Sequence, residues 1–425
     1  MKNLLYNFIR TYTSLFFFIT LSVQAFDFPH FYRAAYFSGE PRFAKDKLTS
    51  IDCTVAAGST CKARDCNGNT TCLFDIYGPH NMQKLGAGIP DKDPTNPADI
   101  ALIYLSRVPG REGFAHLSFR GRFELIETIF SFTQNIKRGF FAQLFLPIKK
   151  IKVCNINYRD LSPTNSSCPN ANHPYWQMFL NQFHDILARY CLCLCNYSKT
   201  DLGDVSFLFG WTCNIQETTV LDYIDATVKA GISIPSGRER CEDRIFDIPS
   251  GYNGHIGIPL IFDASIGAFE WLTLGIHGNF IPFFDKTKWI RMKTDLNQCG
   301  FIKLAKGCAT VKKGIIFDIN TYIKADHFAR GISFLIGYTY NKKYKDELTP
   351  KDICLFDPNI VNTDQMLQEW EMHTIHFWAE YDFVTEEHKL APRLALFYNW
   401  QIGGKRVLKT NMGGGTIGFD LAWDF

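Results

Sequence analysis

Histidine, cysteine and carboxylate are the side chains best equipped for chemistry, and this 425-residue chain holds 11 His, 14 Cys and 42 Asp or Glu. Catalysis by such groups needs a base within hydrogen-bond reach of a nucleophile, with a third group to orient it. The chain carries no G-x-S-x-G, H-E-x-x-H or P-loop, and the glycines at 403–404 and 413–415 read as turn glycines. Parity along the chain places His116, His277 and His376 on one face of their segments and leaves the outward His373 without a serine partner. Lipid hydrolysis therefore stays an alternative that lacks an assembled nucleophile and base. The cysteines group as Cys53, Cys61, Cys66 and Cys72; Cys154 and Cys168; Cys191, Cys193 and Cys195; Cys299 and Cys308; with Cys213, Cys241 and Cys354 alone. Neither Cys61-Cys66-Cys72 nor the Cys-x-Cys-x-Cys run has the paired C-x-x-C spacing of structural zinc, so no metal or cofactor is expected. In an exported chain an even count favours disulfides, without fixing which cysteine pairs with which.

Export is written at the N-terminus. Lys2 and Arg10 precede an apolar core at 15–23, and Val23-Gln24-Ala25 offers a cleavage site, so residues 1–25 read as a signal peptide. That core is roughly half the length of about 20 residues that a spanning helix needs. No later stretch is apolar enough to cross as a helix, although 15% of residues are aromatic and 38 are Phe. A net charge of +3 without a basic run excludes nucleic acid as the expected partner. Residues 26–425 show no linker and read as a single domain.

The elements that must carry any site are strands. About twelve period-two segments have the length needed to cross a membrane at a tilt: 48–57, 115–130, 139–153, 204–215, 222–234, 257–269, 271–284, 314–323, 331–341, 373–383, 390–402 and 414–425. Connectors after even-numbered segments are short; most of those after odd-numbered segments are long and hold most cysteines and prolines. Short periplasmic turns alternating with long external loops is the topology of an up-and-down transmembrane β-barrel. Residues 28–43 could add a strand, which makes fourteen the alternative count.

The last segment is the most regular. Ile417, Phe419, Leu421, Trp423 and Phe425 alternate with Thr416, Gly418, Asp420, Ala422 and Asp424. With its terminal Phe this resembles the outer-membrane β-barrel (porin-type) superfamily of double-membraned bacteria, in which Phe419, Leu421, Trp423 and Phe425 would form the terminal assembly signal. The resemblance implies an outer-membrane location, contact with outer-membrane lipids and the assembly machinery, and possible homo-oligomers.

Charged side chains facing acyl chains cost about 2 to 4 kcal/mol each near the midplane, so the polar set of each strand is expected inside. That set is Arg120, Arg122, Glu124, Asp225, Lys229, Asp263, His277, Asp318, Lys324, Glu380, Arg393 and Asp420. Leu117, Phe119, Phe123 and Leu125 of the same strand as Arg120 would then face lipid. Aromatic residues near strand ends, Tyr158, Trp211, Trp271, Tyr338, Tyr340, Tyr381, Tyr398, Trp400 and Trp423, fit two interfacial girdles. The apolar stripe of 173–190 predicts a helix in a long loop, and Asn362 or Thr363 could cap a shorter one through Met372. With about twelve strands the bore is narrow. The expected function is a porin-like channel for small polar solutes or ions; the alternative to hydrolysis and pore alike is a surface protein cross-linked through its cysteines.

Overall fold

The computed structural model describes residues 48–90, 92–165, 167–216, 221–268, 271–329, 331–383 and 390–422. Residues 1–25, expected to be a signal peptide, residues 28–43, Trp423 and Phe425 lie outside them. Twelve antiparallel strands form a closed barrel. We label them β1 (Leu48–Thr60), β2 (His116–Lys137), β3 (Phe140–Asp160), β4 (Val205–Gln216), β5 (Tyr223–Ile234), β6 (Leu260–Ala268), β7 (Leu272–Ile281), β8 (Ile316–Ala329), β9 (Ile332–Lys343), β10 (Trp370–Asp382), β11 (Leu390–Lys405) and β12 (Met412–Ala422). Each strand pairs with its neighbours in sequence, and β1 pairs with both β2 and β12. Closure leaves no edge with unpaired N–H and C=O groups, which hydrocarbon cannot solvate.

The register follows the alternation of side chains. Ile51 and Val55 of β1, Ile417 and Phe419 of β12, and Phe207, Phe209 and Trp211 of β4 stand exposed on the outside. Asp52, Thr54 and Asp420 are buried on the inside. The turn at Arg138 and Gly139 is a two-residue hairpin with both φ angles positive, at 53° and 81°. A Cβ on Gly139 would lie 2.1 Å from the Thr212 carbonyl oxygen, so the turn and its contact with β4 both call for glycine. Leu48 and Ala422 are paired at this same short-turn end.

At the other end the connections build a cap. Its helices are α1 (Pro97–Ser106), capped by the Asn96 side chain, and α2 (Pro174–Arg189), capped by His173. Trp176, Phe179, Phe183, Ile186 and Leu187 of α2 form the buried stripe expected of residues 173–190. The shorter expected helix is displaced: Pro358–Val361 is helical with Asn362 at its C-cap, Gln365–Leu367 forms one 3-10 turn, and β10 begins at Trp370. Asp357 rather than Asn362 caps that helix, since its side chain accepts from the Asn359 N–H and Pro358 fits the first helical position. The cap core gathers Phe74, Phe119, Phe246 and Phe301 around the buried ring of His80. Two small sheets complete it, Lys62–Arg64 with Thr70–Cys72 and Val407–Leu408, and Lys286–Arg291 with Lys306–Lys312 and Glu347–Pro350.

β2 and β3 run 22 and 21 residues, far beyond what a crossing needs, and their upper halves stand above the rim as part of the cap. Opposite Gly121, β3 has an extra residue where the register shifts between Arg120 and Arg122, and Asn155 there takes φ 57°. The ring of Phe74 occupies the space over Gly121, 2.5 Å from where a Cβ would stand.

Candidate functional site: the barrel wall

The inner wall is built in levels. Nearest the short-turn end, Arg393 of β11 reaches Asp420 of β12 at 3.1 Å and Asp52 of β1 at 2.8 Å. Ser50 donates to Asp420 at 2.6 Å. Gly418 lies opposite both Asp52 and Arg393, and a Cβ on it would come 2.2 Å from the Asp52 carboxylate, so this strand position is small because the ion pairs cross it. A buried guanidinium shared by two carboxylates is held because removing it leaves both carboxylates buried without the cation they share.

Rings also line the wall. Trp378 and Phe397 stack with centroids 5.4 Å apart and planes 11° apart. Four inward aromatic residues each sit directly opposite an inward glycine on the adjacent strand: Phe141 by Gly210, Tyr223 by Gly267, Tyr322 by Gly275 and Phe397 by Gly414. In every case a Cβ on the glycine would fall within 2.6 Å of the ring. The rings therefore lie flat on the wall, covering bare backbone.

The next level is polar and runs from β5 round to β11. Lys229 pairs with Asp263 at 3.4 Å, Asp263 hydrogen-bonds His277, and His277 Nε2 stands 3.8 Å from Asp318, which also accepts from Asn279 at 3.0 Å. Asn320 donates to Thr339, the Thr339 hydroxyl meets His376 Nε2 at 2.7 Å, and His376 Nδ1 meets Asn399 Oδ1 at 2.8 Å. Because the Asn399 oxygen can only accept, the proton of His376 sits on Nδ1 and Thr339 donates to Nε2. Each of these contacts joins adjacent strands. These pairings run along the wall.

Asp225, Lys229, Asp263, His277, Asp318, Lys324, Glu380, Arg393 and Asp420 thus stand on the inward faces of their strands, with Asp225 bonded to Asn214 and Lys324 to Asp326 at 3.2 Å. Arg120, Arg122 and Glu124 do not. They point outward, whereas Leu117, Phe119, Phe123 and Leu125 are buried inside. The expectation failed because the inner face of this half of β2 packs on the apolar core of the cap, which leaves the outer face to the charged side chains. Asp52, Thr339 and Asn399 belong to the wall and went unselected; their inward parity was a readable signal, while the glycine and ring pairs depend on register.

Among the described residues Cys193 and Cys195 form one close sulfur pair. Cys53, Cys61, Cys66, Cys72, Cys154, Cys168, Cys191, Cys299 and Cys308 are unbridged in the structure, as are Cys213, Cys241 and Cys354. Register explains part of this: Cys72 lies opposite Lys62 and not Cys61, and Cys53 sits on the lipid side of β1 between Phe130 and Ile417. His373 faces outward against the Tyr338 hydroxyl at 2.7 Å.

Outside, Trp211, Trp271 and Tyr381 mark the short-turn end and Tyr338, Tyr398 and Trp400 the cap end, all exposed. Tyr158 is no part of a girdle, since it packs inward on Phe119 and Phe183. Between them lies an apolar belt that on β2 runs from Ile136 to Ile126. At about 3.3 Å per residue and a tilt of about 40°, ten residues rise about 25 Å, the height of a barrel's lipid-facing band. The protein is a closed antiparallel β-barrel whose outer belt has the height and apolarity of a membrane-spanning wall.

No protein-family model matches the chain, and comparison with curated proteins finds no match. Solved structures with a similar course include an outer-membrane channel of Pseudomonas putida F1, at 10% identity over 93% of this chain and 100% of that one, with a TM-score of 0.47. The P. putida toluene transporter TodX is similar at 9% identity over 90% and 92%, with a TM-score of 0.32. A Pseudomonas aeruginosa FadL homologue is similar at 11% over 89% and 90%, with a TM-score of 0.26. Likeness at this distance leaves function to be argued from the wall itself.

Proposed function

We propose that the barrel is a channel for small hydrophilic solutes. The observation that carries this reading is the polar level from Lys229 to Asn399, whose hydrogen bonds and ion pairs link neighbouring strands and so commit the charged groups to the wall. The side chains of this level are nearly all buried, so a solute passes where they part, and the donors and acceptors then uncovered replace part of its hydration, which is how a narrow polar lining admits polar and resists apolar molecules. The mixed signs of the lining favour neutral or zwitterionic solutes over either ion class. Residues 1–25 act, in this reading, as the export signal, and the alternating end of β12 as the assembly signal.

A second reading is favoured by the level of rings. Trp378, Phe397 and Tyr322 line one height of the wall, and an apolar or aromatic molecule would find complementary surface there. The P. putida protein TodX is described as a toluene transporter. Planar-bilayer conductance and liposome swelling with the purified chain separate the readings. Discrete conductance steps with swelling in small sugars are expected. Absence of both, with faster entry of a monoaromatic hydrocarbon than in empty liposomes, would replace the first reading by the second.

A further inference from the structure

Polarity on β2 and β3 changes sides at one height. Ile126 and Ile148 face out while Glu127 and Lys149 face in, 3.5 Å apart; Lys150 faces out opposite Ile126, and one step higher Glu124 and Lys152 face out while Leu125 and Ile151 are buried inside. The register joins Leu125 to Ile151 and Glu127 to Lys149, so both strands reverse together. The apolar outer face ends at this reversal, as an outer face must where it leaves hydrocarbon.

Immediately above it the outward face carries Arg120, Arg122, Lys150 and Lys152 against one carboxylate, Glu124. Glu124 sits between Arg122 at 2.9 Å and Lys152 at 3.0 Å, with all three side chains substantially exposed. On the opposite rim Lys342 pairs with Glu369 at 2.9 Å and Lys405 with Glu371 at 2.8 Å. On β5 and β6 the outward residues nearest the cap are Ile234 and Leu260.

We propose that this face binds phosphate-bearing lipid headgroups of the external leaflet. Four cations on two adjacent strands, two of them sharing Glu124, leave positive charge on this face for phosphate groups to neutralise. Guanidinium and ammonium groups there gain from anionic lipid without the desolvation that burial would impose. The proposal rests on the placement of the barrel in the membrane and not on what passes through it, so it survives or falls independently of the channel reading.

The test is native mass spectrometry of the purified chain from nanodiscs of phosphatidylcholine with a minor fraction of lipid A. The variant carries Arg120→Gln, Arg122→Gln, Lys150→Gln and Lys152→Gln, and the control carries Lys342→Gln and Lys405→Gln. Lipid A retained per barrel is expected to fall about tenfold or more in the variant and little in the control, as loss of several interfacial cations requires. In the unaltered chain, raising salt from about 0.05 M to about 0.5 M should displace lipid A but not phosphatidylcholine. Equal retention by variant and unaltered chain, or retention indifferent to salt, overturns the proposal. Should the variant fail to run as a folded, heat-modifiable barrel, the salt series alone decides.

Discussion

Two stretches of inner wall, on opposite arcs of one barrel, have opposite chemistry. From β7 to β11 the inward residues His277, Asp318, Asn320, Thr339, His376 and Asn399 form a hydrogen-bonded polar level. On the upper halves of β2 and β3 the inward residues Leu117, Phe119, Phe123, Leu125, Ile151 and Val153 are apolar and packed under the cap. Both obey the same period of two. The difference teaches that parity fixes which residues share a face, whereas the medium at each height fixes what that face is made of. Inside the bilayer the outer face must be apolar; above it, the inner face becomes a protein core and the outer face is freed for charge.

The comparison is sharpest where charge is most deeply committed. Replacing Arg393 by Met should cost about 3 to 5 kcal/mol, because Asp52 and Asp420 are left buried without their counterion. The drop is read as a lower midpoint of the heat-induced mobility shift in detergent; an unchanged midpoint would mean that water already compensates these carboxylates. Next comes the lipid face of β2. Phe130→Arg, about midway up the belt, should cost about 2 to 4 kcal/mol by the same measurement in bilayers. If it costs nothing, the belt is not where Ile136 and Ile126 place it.

The sequence disclosed the strand count and the side of each connector, because alternation over ten residues and loop length are local properties. It disclosed α2 for the same reason, through the spacing of Trp176, Phe179, Phe183 and Leu187. It also held an unused signal for α1, an Asn96 cap followed by Pro97. What stayed hidden was anything that depends on height or register. Nothing in the run of Arg120, Arg122 and Glu124 says that β2 has left the bilayer; that emerges only when β1, paired up to Thr60 with Phe123, ends and the cap closes over the remainder. The meeting of Phe397 with Gly414, or of Tyr322 with Gly275, needs the register of two strands at once.

The cap offers a smaller effect that separates it from the barrel. Burial pushes the His80 imidazole down to about 3, and its Nε2 accepts from the Phe301 N–H at 2.9 Å. The unfolded chain takes up a proton below its ordinary value near 6.5 while the folded cap does not, so cap stability is full above that pH and declines as pH falls toward 3, by at most about 1.4 kcal/mol per pH unit. Limited proteolysis of the cap between about pH 7 and pH 5 should accelerate, with the barrel strands staying protected. His80→Gln, which can still accept from Phe301, should flatten that dependence; an unchanged pH profile would assign the acid sensitivity to another group.

The smallest effect tests the reversal most directly. Arg122→Leu should change stability by no more than about 0.5 kcal/mol, since its partner Glu124 keeps Lys152 and both are exposed. The double change Arg120→Glu with Arg122→Glu should leave the ion preference of any conductance the chain shows unaltered, because both side chains lie outside the barrel wall and water screens them from the bore over roughly 8 Å at physiological salt. Asp318→Asn, on the polar level of the inner wall, should by contrast shift the preference away from cations. A selectivity change from the arginine pair with none from Asp318 would reverse the two faces of β2 and remove the bilayer surface from its place between Leu125 and Glu127.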